Sequence, residues 1–198
     1  MNSKLKVVFL VAAFGLLFGR NSLVADIVVN GGFETGLLPP WVQSGDIFFT
    51  GVGIIGSIPH SGSYSFAIGS PTDGFLSQTL VTIPLATYEL RYWLHHGLGA
   101  IPIENYFNVS WDGSLIPGAT LVDAPAFDYT EYIFPGLIAS TASTVLTFGP
   151  YFDLPTFYNL DDISVERTDA PVPEPGTLFL LGTGLIGLGA QWKRRLKK

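Results

Sequence analysis

The chain has 198 residues, ten of them basic and sixteen acidic, with a formal net charge of −6 and no cysteine. That length suits one ordinary domain with attached signals, and the lack of cysteine excludes disulfides, thiolate metal sites and a cysteine nucleophile. Eight basic residues sit at the two ends; between residues 26 and 170 only Arg91 and Arg167 face fifteen carboxylates, a balance of −13 that repels phosphate backbones and excludes nucleic acid as a partner.

The N-terminus carries Lys4 and Lys6, an apolar run over residues 7–19, and Ser22-Leu23-Val24-Ala25 ahead of Asp26. A basic stretch, a short apolar run and a small residue at the cut site make a secretory signal, residues 1–25, with cleavage after Ala25 and a secretion translocon as first partner. The alternative, an uncleaved anchor helix, would be short for a bilayer.

Residues 26–168 alternate short β-like runs with Gly, Pro, Asn and Asp, and 14% aromatic content with 23 glycines and 14 prolines suits a β-rich domain with many turns. Strands are expected at 27–29, 46–50, 64–68, 76–83, 88–95, 106–111, 129–135, 144–148 and 160–166, which predicts an all-β jelly roll or β-sandwich. In the run at 88–95, Tyr88, Leu90, Tyr92 and Leu94 share the core face, while Glu89, Arg91, Trp93 and His95 share the other. In the last strand, Ile163 and Val165 alternate inward, which puts Asp161 on the inner side and Asp162 outside. A buried carboxylate is costly unless it is hydrogen-bonded or binds a cation. Asp161 therefore either caps backbone amides or holds a hard cation such as calcium.

A sugar-binding face needs aromatics to stack on pyranose rings and polar side chains to pair hydroxyls. Trp93 with His95, and Tyr106 with Asn108 on the expected next strand, are the candidates; Trp41 and Trp111 are expected to fill the core. Catalysis finds little footing. Asp161 and Asp162 are expected on opposite faces, where they could not flank one glycosidic bond. His60, His95 and His96 lack zinc-ligand spacing, and no Gly-x-Ser-x-Gly elbow occurs. The Gly-x-Gly-x-x-Gly patterns at 51–56 and 182–187 lack a surrounding βαβ unit and are chance matches.

At the C-terminus, a linker over 169–176 holds Val172-Pro173-Glu174-Pro175-Gly176, an apolar run covers 177–192, and a basic tail fills 193–198. Sixteen helical residues span about 24 Å, marginally enough to form a transmembrane helix, and the basic tail should stay cytoplasmic with the domain outside. The alternative is a plain tail anchor.

Val172, Pro173, Glu174 and Pro175, followed by the apolar run and the basic tail, resemble the PEP-CTERM sorting signal of Gram-negative bacteria. The resemblance implies an exosortase, a membrane transpeptidase-like enzyme, as processing partner, and an association with exopolysaccharide. Asn30-Gly31-Gly32-Phe33-Glu34 with Trp41, then His60-Ser61-Gly62-Ser63-Tyr64-Ser65, then Asn159-Leu160-Asp161-Asp162-Ile163-Ser164-Val165 resemble carbohydrate-binding modules with the galactose-binding-like jelly roll. That likeness implies that the first and last strands meet. It also implies one structural calcium held by the Glu34 and Asp161 side chains with a carbonyl of Ser61 or Gly62, and no organic cofactor. The expectation is a non-enzymatic, exported surface protein that binds extracellular polysaccharide. A purely structural surface or adhesion protein is the alternative, and a glycoside hydrolase the third reading.

Overall fold

The computed structural model describes residues 25–97, 104–153 and 156–169. The expected signal peptide through residue 24, the sorting motif, the apolar run and the basic tail lie outside the described residues. The segment Val24–Ala170 forms a compact unit of its own.

Among the described residues of this unit there are eleven strands: β1 (Val42–Gly45), β2 (Thr50–Val52), β3 (Phe66–Ile68), β4 (Gly74–Val81), β5 (Thr87–His96), β6 (Tyr106–Trp111), β7 (Ser114–Leu115), β8 (Leu121–Val122), β9 (Phe127–Ile138), β10 (Ser143–Phe152) and β11 (Tyr158–Arg167). They form two antiparallel sheets. One runs β1-β4-β10-β6-β7 with β8 also on β6; the other runs β2-β3-β11-β5-β9.

The core lies where alternate residues of both sheets meet. Tyr88, Leu90, Tyr92 and Leu94 of β5 are all buried, as alternation along that strand requires. Tyr92 meets Phe148 edge-on at 5.2 Å and Phe107 at 6.2 Å, both from the opposite sheet. Trp41 and Trp111 are buried as expected, and each indole N–H finds a carbonyl, Asn30 at 3.1 Å and Ile138 at 2.9 Å. Each such apolar side chain removed from water contributes about 1.5–3 kcal/mol, which is how a cysteine-free domain of this size holds together.

Four departures from the sequence expectations matter for function. Residues 27–29 form no strand; only Asp26 bridges Glu166, and Ile27 N–H donates to Val165 at 3.0 Å. Residues 46–49 turn between β1 and β2, because the Asp46 carboxylate accepts Phe48 N–H at 2.9 Å and Phe49 takes a left-handed φ of 49°. β6 lies in the opposite sheet from β5, so Tyr106 and Asn108 do not stand beside Trp93. Finally, β11 bulges between Asp161 and Ser164, where Asp162 has φ 45°. The bulge adds a residue and resets the in-out alternation. Asp161 pairs with Trp93 and Leu160 with Leu94, so Asp161 belongs to the outer face of its sheet, not the inner one.

Candidate functional site

Asp161 is buried although it faces outward, because residues 57–64 fold across the sheet and cover it. Its Oδ2 accepts the N–H of His60 at 2.8 Å and of Ser61 at 3.2 Å, and its Oδ1 accepts Asp162 N–H at 2.7 Å. Burial pushes its pKa up to about 6, with the Asp162 charge adding to the rise and the three amides opposing it. Asp162 turns to the same segment: Ser61 Oγ donates to its Oδ1 at 2.9 Å and His60 Nδ1 to its Oδ2 at 2.7 Å. Both aspartates therefore lie under residues 60–61. The expectation that they point to opposite faces fails because Asp162 sits at the bulge.

Glu34 holds the same segment from the other side. Its carboxylate accepts Ser63 N–H at 2.9 and 3.0 Å and Tyr64 N–H at 3.0 Å. Gly62 makes this possible: its φ is +62°, and a Cβ there would stand 2.3 Å from the Glu34 carboxyl carbon. Gly31 allows the other close approach, since a Cβ on it would lie 1.9 Å from the Ile163 carbonyl oxygen, and Ile163 N–H donates to Gly31 at 3.1 Å. The opening motif, the Ser-Gly segment and the closing motif thus meet at one place, as expected. They meet through amides, however. Ser61 and Gly62 lie between two carboxylates that are taken up by N–H donors, and among the described residues no group of three or more His, Cys, Asp or Glu side chains is placed to hold a metal.

The covering segment also closes the first candidate sugar site. The His60 ring stacks on Trp93 at 3.9 Å and 14°, with Tyr129 5.0 Å from His60 and 5.4 Å from His95. The Tyr129 hydroxyl donates to the Ile58 carbonyl. One face of the Trp93 indole is therefore occupied by the protein's own imidazole, and His95 is half-buried, its pKa drawn down by that burial.

The second pair lies on the outer face of the six-stranded sheet. Tyr106 pairs across the strands with Phe152, the rings 5.6 Å apart and 23° from parallel, and the Tyr106 hydroxyl donates to Asp73. Asn108 donates to the Pro150 carbonyl at 3.0 Å and accepts from Thr120 Oγ1 at 2.9 Å. Those bonds fix its amide and leave one N–H and one lone pair free. Ser77, Ser110 and Thr147 extend this face, and every one of these residues is partly exposed.

Sequence reasoning missed a buried polar group behind β5. His96 Nδ1 donates to the Pro125 carbonyl at 3.0 Å, while Nε2 lies 3.1 Å from Thr156 Oγ1 and 3.3 Å from Asp153 Oδ2. Burial draws the His96 pKa down, but the Asp153 and Pro125 bonds outweigh it and the net shift is upward. The signal was present, since His96 continues the buried register of Tyr92 and Leu94. His96, Asp153 and Thr156 are all buried, and Thr156 donates its hydroxyl proton to Asp153 at 2.5 Å. That arrangement ties the end of β5 to the β10–β11 connection and presents no nucleophile to solvent.

Residues 171–195 match the family model of the PEP-CTERM protein-sorting motif. The match contains Val172, Pro173, Glu174 and Pro175 and implies exosortase processing of an exported, cell-surface-directed protein. No sequence among the curated proteins matches the chain. Among solved structures, TmCBM61 in complex with β-1,4-galactotriose is similar at a TM-score of 0.55 and 22% identity, over 73% of this chain and 99% of its own. The CBM22-1 xylan-binding domain of Paenibacillus barcinonensis Xyn10C is similar at 0.51 and 17%, over 74% and 97%. A cyclase from Fischerella sp. TAU is similar at 0.53 and 14%, over 74% and 98%. These likenesses concern the fold, which serves both sugar-binding modules and an enzyme, so function has to be argued from the site. The chain is an all-β sandwich of the fold found in carbohydrate-binding modules, followed by a PEP-CTERM sorting motif.

Proposed function

We propose that this is an exported, exosortase-processed, non-catalytic protein that binds a neutral polysaccharide on the outer face of its six-stranded sheet. In this reading it acts at the cell surface within exopolysaccharide, and the run at 177–192 anchors it in the membrane until processing. The observation that carries the binding site is the contrast between the two faces. Trp93 is stacked under His60, whereas Tyr106 and Phe152 are partly exposed and, among the described residues, their rings pair only with each other, with Asn108, Ser110 and Thr147 beside them. Aromatic rings take the apolar faces of pyranoses, and the amide and hydroxyls pair with ring hydroxyls. The acidic balance of the domain favours a neutral chain over a polyanionic one.

Affinity electrophoresis of the purified protein through gels containing neutral polysaccharides tests this. The wild type is expected to be retarded, Tyr106→Ala to bind roughly tenfold more weakly, a loss of about 1.4 kcal/mol, and Trp93→Ala to keep most of its retardation. Unretarded wild-type protein on every neutral glycan overturns the binding reading and favours a purely structural surface protein.

A structural calcium at Glu34, Ser61, Gly62 and Asp161 is a separate proposal that rests on the resemblance. Carboxylate oxygens suit a hard cation, but the amides of 60–64 face the buried Asp161 and the exposed Glu34 where carbonyl oxygens would be needed. If calcium binds, chelation lowers the melting temperature and Asp161→Asn abolishes the difference. A melting curve indifferent to chelator rules the ion out.

A further inference from the structure

The end of β4 and the turn that leads from it to β5 hold apolar side chains out in water. Val81 is 83% exposed, Ile83 50% and Leu85 81%, and Ile138 at the end of β9 is 60% exposed. The turn is firmly built rather than frayed. Thr82 Oγ1 donates to the Thr141 carbonyl at 2.9 Å, Ile83 N–H to the Tyr88 hydroxyl at 2.9 Å, and Leu85 N–H to the Ala139 carbonyl at 2.8 Å. Leu85 also has a left-handed φ of 64°, where glycine or asparagine costs less. A leucine at that backbone position, facing solvent, gains nothing from the fold itself.

The chain leaves the sandwich at this same end. Ile138 pairs with Thr87 on one side, and Thr168 N–H donates to the Thr87 carbonyl at 2.8 Å on the other. Asp26 bridges Glu166 next to it. From residue 169 to the apolar run at 177 there are eight residue steps, no more than about 28 Å of fully extended chain. Another exposed apolar run, Ile47, Phe48 and Phe49, follows Gly45, which pairs with Gly74 at the far end of β4.

We infer that Val81, Ile83, Leu85 and Ile138 form a lipid-docking tip that inserts shallowly into the membrane holding the protein's own C-terminal segment. The inference rests on the anchoring reading of residues 177–192 proposed above. Four aliphatic side chains on a rigid support match the apolar boundary of a bilayer. The acidic domain makes a zwitterionic surface the suitable one, since anionic headgroups repel it. The tether supplies the proximity, because a group linked by a few residues meets the surface at high effective concentration. Docking would hold the sandwich against the membrane until processing removes the tether, after which the weak apolar contact releases.

The absence of cysteine gives a clean test on the full chain. Leu85→Cys and, as the far-end control, Phe48→Cys are each labelled with a polarity-sensitive dye and reconstituted into phosphatidylcholine vesicles with quencher-bearing acyl chains. Emission from position 85 is expected to shift to shorter wavelength and to be quenched by the lipid, and that from position 48 to do neither. Protein that floats with the vesicles while position 85 stays unquenched overturns the docking tip and leaves the anchor standing. Quenching at both positions also overturns it, because the contact is then not confined to this tip. Protein that does not float overturns the anchor, and the docking with it.

Discussion

Asp161→Ala is expected to destabilise the domain by about 3 kcal/mol, since it removes the acceptor of three backbone N–H groups at a buried position. For a domain of this size the melting temperature then falls by roughly 10 °C, and residues 57–64 lose their hold on the sheet. Asp161→Asn keeps the oxygen that accepts from His60 and Ser61 and should lose much less. The pH dependence separates the two roles of the carboxyl. Its folded pKa of about 6 lies above its ordinary value of 3.8, so the native state takes up a proton before the unfolded chain does. Its contribution to stability is therefore largest below pH 3.8 and declines as pH rises through about 6. Asp161→Asn should remove that slope from thermal unfolding followed between pH 4 and 7.5. An alanine variant that melts with the wild type would mean that the three bonds hold nothing in place.

Deletion of Val172, Pro173, Glu174 and Pro175 should abolish C-terminal processing. The wild type is expected to mature to a C-terminus upstream of the basic tail, and mass spectrometry of the exported protein reads that terminus directly. The deletion variant should keep Lys193 through Lys198 and stay with the membrane fraction, because the apolar run and its five charges remain. A variant trimmed like the wild type, or a wild type that keeps Lys198, contradicts the assignment of the motif.

What could be read from the sequence was what is local. The sorting motif is a linear order of four residues, an apolar run and a basic tail, and needs no fold to be recognised. The core face of β5 was legible because alternation runs unbroken from Tyr88 to Leu94, and the same register extended two residues would have found His96. Alternation failed in β11, where Asp162 at φ 45° inserts an extra residue and moves Asp161 to the outer face. Its burial was inferred correctly but for the wrong reason. Hydrophobicity failed at Ile47, Phe48 and Phe49, where an apolar run that reads as strand is an exposed turn capped by Asp46.

The candidate site was half legible. Residue type nominated Trp93, His95, Tyr106 and Asn108, but two facts that only the fold supplies divide them. β6 crosses to the other sheet, and His60, far from Trp93 in sequence, stacks on its ring. The junction of Glu34, residues 60–64 and Asp161 was recognised through its motifs. Its amide-based clamping depends on peptide orientations that residue types do not encode.

The central claim is that the outer face of the six-stranded sheet receives a neutral glycan. Residue-resolved chemical-shift mapping with oligosaccharides of neutral polysaccharides tests it most directly. Shifts are predicted at Tyr106, Asn108, Ser110, Thr147 and Phe152. Shifts centred on Trp93 and His95, or none at saturating glycan, would contradict it.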